Sequence, residues 1–94
     1  MTSIEIKNKF IDDLVLKDKG FVKIRTNDTL TAYMVTFENE MFKTFKGTYA
    51  KESEMIKVST KYFNEVDDLL EWTNDIVTNI RQLMLENKEY LICW

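Results

Sequence analysis

Any chemistry in this chain has to come from carboxylates, lysines and aromatic rings, because histidine is absent and the single cysteine is Cys93. Without histidine there is no Ser-His-Asp or Cys-His pair and no histidine metal site. The two glycines, Gly20 and Gly47, stand alone, so no glycine-rich phosphate loop can form. Nothing around Cys93 would lower a thiol pKa, and it reads as the filler of a small apolar space. Glu38 with Glu40, and Asp12 with Asp13, are carboxylate pairs of the kind that hold divalent ions, but adjacent acids on turns and helices read first as solvated surface. The sequence therefore argues against an enzyme and implies no cofactor and no metal.

Two groups of residues remain. Asp67, Glu71 and Asp75 follow one another at i,i+4, and Asp68 sits three residues before Glu71. Like charges at these spacings cost about 0.2–0.5 kcal/mol per pair on an exposed helix. Acids in a first helical turn are favoured by the helix dipole, which accounts for Glu65, Asp67 and Asp68 but not for Glu71 or Asp75. Trp72, at the border of the stripe, has the character of an aromatic anchor within a charged rim. Asp67, Asp68, Glu71, Trp72 and Asp75 are thus the expected contacts to a protein partner with a basic surface. The second group, Lys23, Arg25, Lys43 and Lys46 with Phe42, Phe45 and Tyr49, mixes bases and rings as a single-stranded nucleic-acid platform would. Alternating lysines are also the ordinary solvent face of a strand, so direct nucleic-acid binding is the alternative and the protein partner is favoured.

The elements that would position these groups are legible in the spacing. From Asn64 to about Asn87, the residues Val66, Leu69, Leu70, Thr73, Ile76, Val77, Ile80, Leu83 and Met84 recur at steps of three and four, which predicts one long helix. Asn64 and Asp67 have the spacing of a capping box for its start. A first helix is expected from Ser3 to about Lys17, opened by Thr2 and Glu5 and closed by Gly20 as a left-handed terminator. Its apolar side is Ile4, Ile6, Phe10, Ile11, Leu14 and Val15. Between the helices, strands are predicted over Phe21–Arg25, Thr29–Phe37, Met41–Tyr49 and Met55–Thr60, with Ile56 and Val58 facing inward on the last. Turns fall at Asn27-Asp28, where positive φ is tolerated, and at Glu38 to Glu40. Gly47 marks an end or a bulge, and the polar stretch from Ala50 to Glu54 reads as a mobile loop. The fold class is α+β: an N-terminal helix, a four-stranded antiparallel meander and a long C-terminal helix, packed as a two-layer sandwich.

Ninety-four residues form a single domain, 1–94, large enough for a core without disulfides. No basic segment leads into an apolar run at the start, and no apolar stretch is long enough to span a membrane, so the expected location is cytoplasmic. Net charge is −3, with eleven Lys/Arg against nine Asp/Glu up to residue 62 and two against seven thereafter. This asymmetry gives the two parts of the chain different electrostatic character. A small acidic domain with a short antiparallel sheet and flanking helices resembles phage-encoded inhibitors of CRISPR nucleases, the anti-CRISPR proteins. The resemblance is one of general character and assigns no residue a role. It implies a non-enzymatic inhibitor that blocks a nucleic-acid-binding effector through an acidic surface.

Self-association is a further expectation. A helix of twenty-four residues spans about 36 Å, whereas strands of five or six residues cover about 17–20 Å. Ile80, Leu83 and Met84 would then overhang the sheet, and with Leu91 and Trp94 of the apolar Tyr90–Trp94 segment they would form a homodimer interface. The competing arrangement is that the first helix or that segment folds back and covers the same residues within one monomer.

Overall fold

The computed structural model describes residues 1–50 and 55–94. The chain runs α1 (Ser3–Lys17), β1 (Lys19–Arg25), β2 (Thr29–Glu38), β3 (Met41–Ala50), β4 (Met55–Phe63), α2 (Val66–Leu85) and β5 (Leu91–Cys93). The architecture is α+β, as the spacing predicts, with five strands in the sheet where four are expected. Their order is β4-β3-β2-β1-β5, antiparallel at every pairing. The extra strand is the Tyr90–Trp94 segment, which docks on its own chain by pairing Ile92 with Ile24 and Leu91 with Arg25. Three residues are too few to show a period of two, so tertiary pairing alone defines it. The predicted loop over 51–54 lies outside the described residues, whereas Ala50 is the last residue of β3. No helix of the described chain is long and apolar enough to cross a membrane.

Local chemistry sets the element ends. Thr2 Oγ1 accepts from Glu5 N at 3.2 Å while Glu5 Oε1 accepts from Thr2 N at 3.0 Å, completing the predicted capping box. Thr2→Ala should cost about 1 kcal/mol in urea unfolding, with the far-UV spectrum unchanged. At the other end the left-handed residue is Asp18 (φ 57°), not Gly20. Gly20 lies inside β1 for a different reason: a Cβ there would sit 2.7 Å from the Phe10 carbonyl oxygen, so only glycine lets β1 approach α1 so closely.

The hairpin from β2 to β3 turns through Asn39 and Glu40, both at positive φ, as a two-residue turn of this hand requires. The turn falls at Asn27-Asp28 as expected, but neither residue uses the positive φ it tolerates. Thr26 holds that turn instead, its hydroxyl accepting from Asp28 N and Thr29 N. The cap of α2 is Glu65 without a side-chain bond, because β4 runs on to Phe63 and leaves Asn64 in the short link. The helix ends in a Schellman motif, with Asn87 left-handed and Lys88 N donating to the Leu83 carbonyl at 2.9 Å.

One face of the sheet carries both helices. Ile6, Phe10 and Leu14 of α1 meet Val22, Ile24, Tyr33 and Val35 of the sheet and Leu69, Ile76, Ile80 and Leu83 of α2 in a single core. The apolar stripes are narrower than the spacing suggests. Ile4, Val15, Val66, Leu70 and Met84 are exposed, since each helix buries only the side wedged between its neighbour and the sheet. Gly47 neither ends nor bulges β3; the irregularity falls between Thr48 and Tyr49. Val58 points away from the helices and is 41% exposed, because α2 does not cover β4 and the polar set Lys57, Ser59 and Lys61 occupies the wet side beneath it. The expectation for Ile56 falls outside the described side chains.

Candidate interaction surfaces

The acidic stripe divides when it is folded. Asp67, Asp68 and Glu71 are exposed on the first two turns of α2. Asp75 is turned inward: its carboxylate accepts from the Tyr33 hydroxyl at 2.7 Å and from the Lys46 ammonium, and Asn79 Nδ2 donates to the Tyr33 oxygen at 3.1 Å. Partial burial pushes the Asp75 carboxyl pKa up, but the Lys46 and Tyr33 hydrogen bonds and the Lys46 and Lys57 charges outweigh it and leave a net lowering. Burial raises the Tyr33 hydroxyl far above the usual tyrosine range, and the Asp75 carboxylate adds to this against the opposing Asn79 bond. Asp75 thus ties α2 to β2 and β3 while its side chain stays 44% exposed at the groove described below.

Trp72 is also engaged by the fold and lines the same groove. It is half-buried, with its ring centroid 6.1 Å from that of Phe10 and 5.9 Å, edge to face, from that of Tyr33. At the border of the stripe it serves the core, because α2 leans its indole toward α1 and β2.

Beside these acids runs a groove of about 660 Å³ between α2 and strands β3 and β4. Asp68, Glu71, Asn74 and Asp75 form its helical wall; Lys46, Thr48, Lys57, Ser59 and Lys61 form its sheet wall. Lys57 and Lys61 make no ion pair with the helical wall among the described residues.

The opposite face of the sheet carries no helix. Register and strand alternation place on it Lys19, Phe21, Lys23 and Arg25 from β1, then Leu30, Ala32, Met34 and Thr36 from β2. From β3 come Lys43, Phe45, Gly47 and Tyr49, and from β4 Val58, Thr60 and Tyr62. Of the residues expected to form a nucleic-acid platform, Lys23, Arg25, Lys43, Phe45 and Tyr49 share this face. Phe42 and Lys46 are on the helix side, where Phe42 packs on Phe37 and Lys46 holds Asp75. Lys19, Phe21 and Tyr62 are members that composition alone does not single out. Cross-strand register places them, since Lys19 and Phe21 lie opposite Thr36 and Met34, and Tyr62 lies opposite Lys43.

The expected dimer surface is likewise divided. Ile80 and Leu83 are buried in the monomer's own core, in one cluster with Ile6, Phe10 and Leu14 of α1 and with the sheet. Met84, Leu91 and Trp94 remain exposed, with the Lys9 ammonium 4.4 Å from the Trp94 ring centroid. Cys93 is half-buried beside Lys23. Asp13 is paired with Lys9 at 3.0 Å, and no three potential ligands converge as a metal centre among the described residues.

Fold and surfaces together define a two-layer α+β domain with one uncovered sheet face. Comparison with protein-family models, curated proteins and solved structures finds no match to the chain.

Proposed function

We propose that this chain is a non-enzymatic protein-binding module, inhibitory in type, that seats Asp67, Asp68 and Glu71 on a basic surface of its partner. The observation that carries the reading is that these three carboxylates project from two turns of one rigid helix with no ion pair among the described residues. Helix-dipole stabilisation explains Asp67 and Asp68 but does not reach Glu71. Such a row of fixed carboxylates can replace nucleic-acid phosphates in a Lys/Arg-lined channel. The narrower form of the proposal, a phage-encoded inhibitor of a CRISPR effector in a bacterial cytoplasm, rests on the general resemblance of a small acidic α+β domain.

Charge reversal tests it. Asp68→Lys/Glu71→Lys changes two exposed side chains, so the fold should survive with a loss of about 1 kcal/mol, mostly from the helix dipole at Asp68. Association with a basic partner should slow by on the order of tenfold or more at low salt, and the wild-type rate should itself fall as salt is raised. Purified guide-loaded CRISPR nucleases immobilised on a biosensor test the narrow form, and co-precipitation from bacterial lysate tests the general one. Retention of the same proteins by wild type and variant would remove the acidic face from the interface.

A further inference from the structure

We propose that the uncovered face of the sheet binds single-stranded nucleic acid, a second activity on the side of the molecule opposite α2. Antiparallel sheets with one free face ordinarily alternate apolar inside and polar outside. This face does not. Its cross-strand rows read Lys19–Thr36–Lys43–Tyr62, then Phe21–Met34–Phe45–Thr60, then Lys23–Ala32–Gly47–Val58, then Arg25–Leu30–Tyr49. Phe21 and Phe45 thus lie between the row of Lys19 and Lys43 and that of Lys23, while Tyr62 and Tyr49 share rows with Lys43 and Arg25. Phe21, Phe45 and Tyr49 are half-exposed and Tyr62 is 58% exposed, so the rings are presented to solvent.

Gly47 shapes the middle of the platform. A Cβ there would meet Phe45 Cε1 and Tyr49 Cε2 each at 3.1 Å, so both rings lean in over the glycine from either side. With Ala32 next to it, the centre of the face is a shallow floor of small residues flanked by rings. Phe21 and Phe45 stand two strands apart, about 10 Å, with the flexible Met34 between them.

Charge selects the occupant. Lys19, Lys23, Arg25 and Lys43 all belong to this face, and none is in an ion pair among the described residues. The only carboxylate among the described strand residues whose alternation points to the same side is Glu38, at the hairpin end opposite Met41. A second copy laid face to face would bring eight cations together on an apolar floor, which like-charge desolvation opposes. A polyanion with flat apolar surfaces satisfies both features: phosphates meet the cations, and unstacked bases lie on the rings. Duplex bases are already stacked and cannot use the rings, which makes the preference single-stranded.

Fluorescence anisotropy with labelled mixed-sequence dodecamers, as single-stranded RNA, single-stranded DNA and duplex DNA at low salt, tests this. Saturable binding to the single strands, weaker on duplex, is the expected result, with a log–log salt slope of about −2 to −3 for three or four phosphate contacts. Arg25→Glu/Lys43→Glu should lose at least tenfold in affinity. Phe45→Leu keeps an apolar side chain of similar size and should still lose roughly fivefold or more, because the π-face is gone. Asp68→Lys/Glu71→Lys should bind oligonucleotide at least as well as wild type, which separates this proposal from the acidic-face reading. Absence of saturable binding at high micromolar protein overturns the proposal, as does unchanged affinity in Arg25→Glu/Lys43→Glu. A dimer in light scattering that dissociates in that same variant would also overturn it, assigning the face to a second copy.

Discussion

Phe10→Ala should destabilise the fold by about 3–5 kcal/mol, at the upper end of what truncating one side chain can cost. The ring is fully buried where three elements meet: it belongs to α1, packs against Trp72 of α2, and lies at the point where Gly20 lets β1 approach. Truncation would leave a cavity that neither helix can close without losing its seat on Val22 and Val35. Domains of this length are stable by only about 5–14 kcal/mol, so the variant would lose a large fraction of its margin. Urea titration should show a much lower midpoint with an unchanged slope. Val15→Ala is the internal control, since Val15 is 74% exposed and its removal should change stability by less than about 0.5 kcal/mol. Similar midpoints for the two variants would contradict the packing described for α1.

The second large effect is a loss of stability at alkaline pH carried by Tyr33. Its hydroxyl is buried beside the Asp75 carboxylate and stays protonated in the fold well beyond the point at which an unfolded tyrosine ionises, near pH 10. Above that pH the unfolded chain binds fewer protons than the folded one. Tyr33 therefore contributes stability that is fully present below pH 10 and declines by about 1.4 kcal/mol per pH unit above it. Tyr33→Phe should be less stable at neutral pH, because Asp75 and Asn79 each lose a partner, yet its decline above pH 10 should be visibly shallower. Parallel declines in the two proteins would show that another group carries the alkaline transition. Asp75 acts at the acid end with the opposite sign: its lowered pKa gives stability that is present above the ordinary carboxylate range and lost as pH falls through the folded value. The side chain is 44% exposed, so that acid contribution is modest beside the tyrosine's.

How much of the molecule is legible in the sequence depends on whether the signal is local. The start of the first helix can be placed to the residue, because Thr2 and Glu5 reach only each other. β2 is recognisable as central because both of its sides are apolar, and it is the middle strand of the sheet. The internal partners of Asp75 are hidden for the converse reason. Its i,i+4 spacing from Glu71 is visible in the chain, but Tyr33 is forty-two residues away and Lys46 twenty-nine. The packing of Trp72 is hidden likewise, since an aromatic at the margin of a stripe can turn either way and its neighbours Phe10 and Tyr33 are distant in sequence. The uncovered sheet face is half visible: its residue types stand out, but spacing alone groups Phe42 and Lys46 with it, and only the hairpin register fixes which side each faces.

The pairing of β5 with β1 also sets a timetable for the nascent polypeptide. β1 to β4 can zip together in the order they are made, each hairpin closing on the one before. The outer edge of β1 has to wait until the stretch after α2 has been translated. At roughly 5–20 residues per second, about seventy residues of further synthesis take about 4–14 s. For that interval Lys23, Ile24 and Arg25 offer unpaired amides and carbonyls to any neighbouring chain on the polysome. The short strand that completes the sheet is thus also a late seal, and expression conditions that slow translation of the last third of the chain should raise the burden on ribosome-associated chaperones.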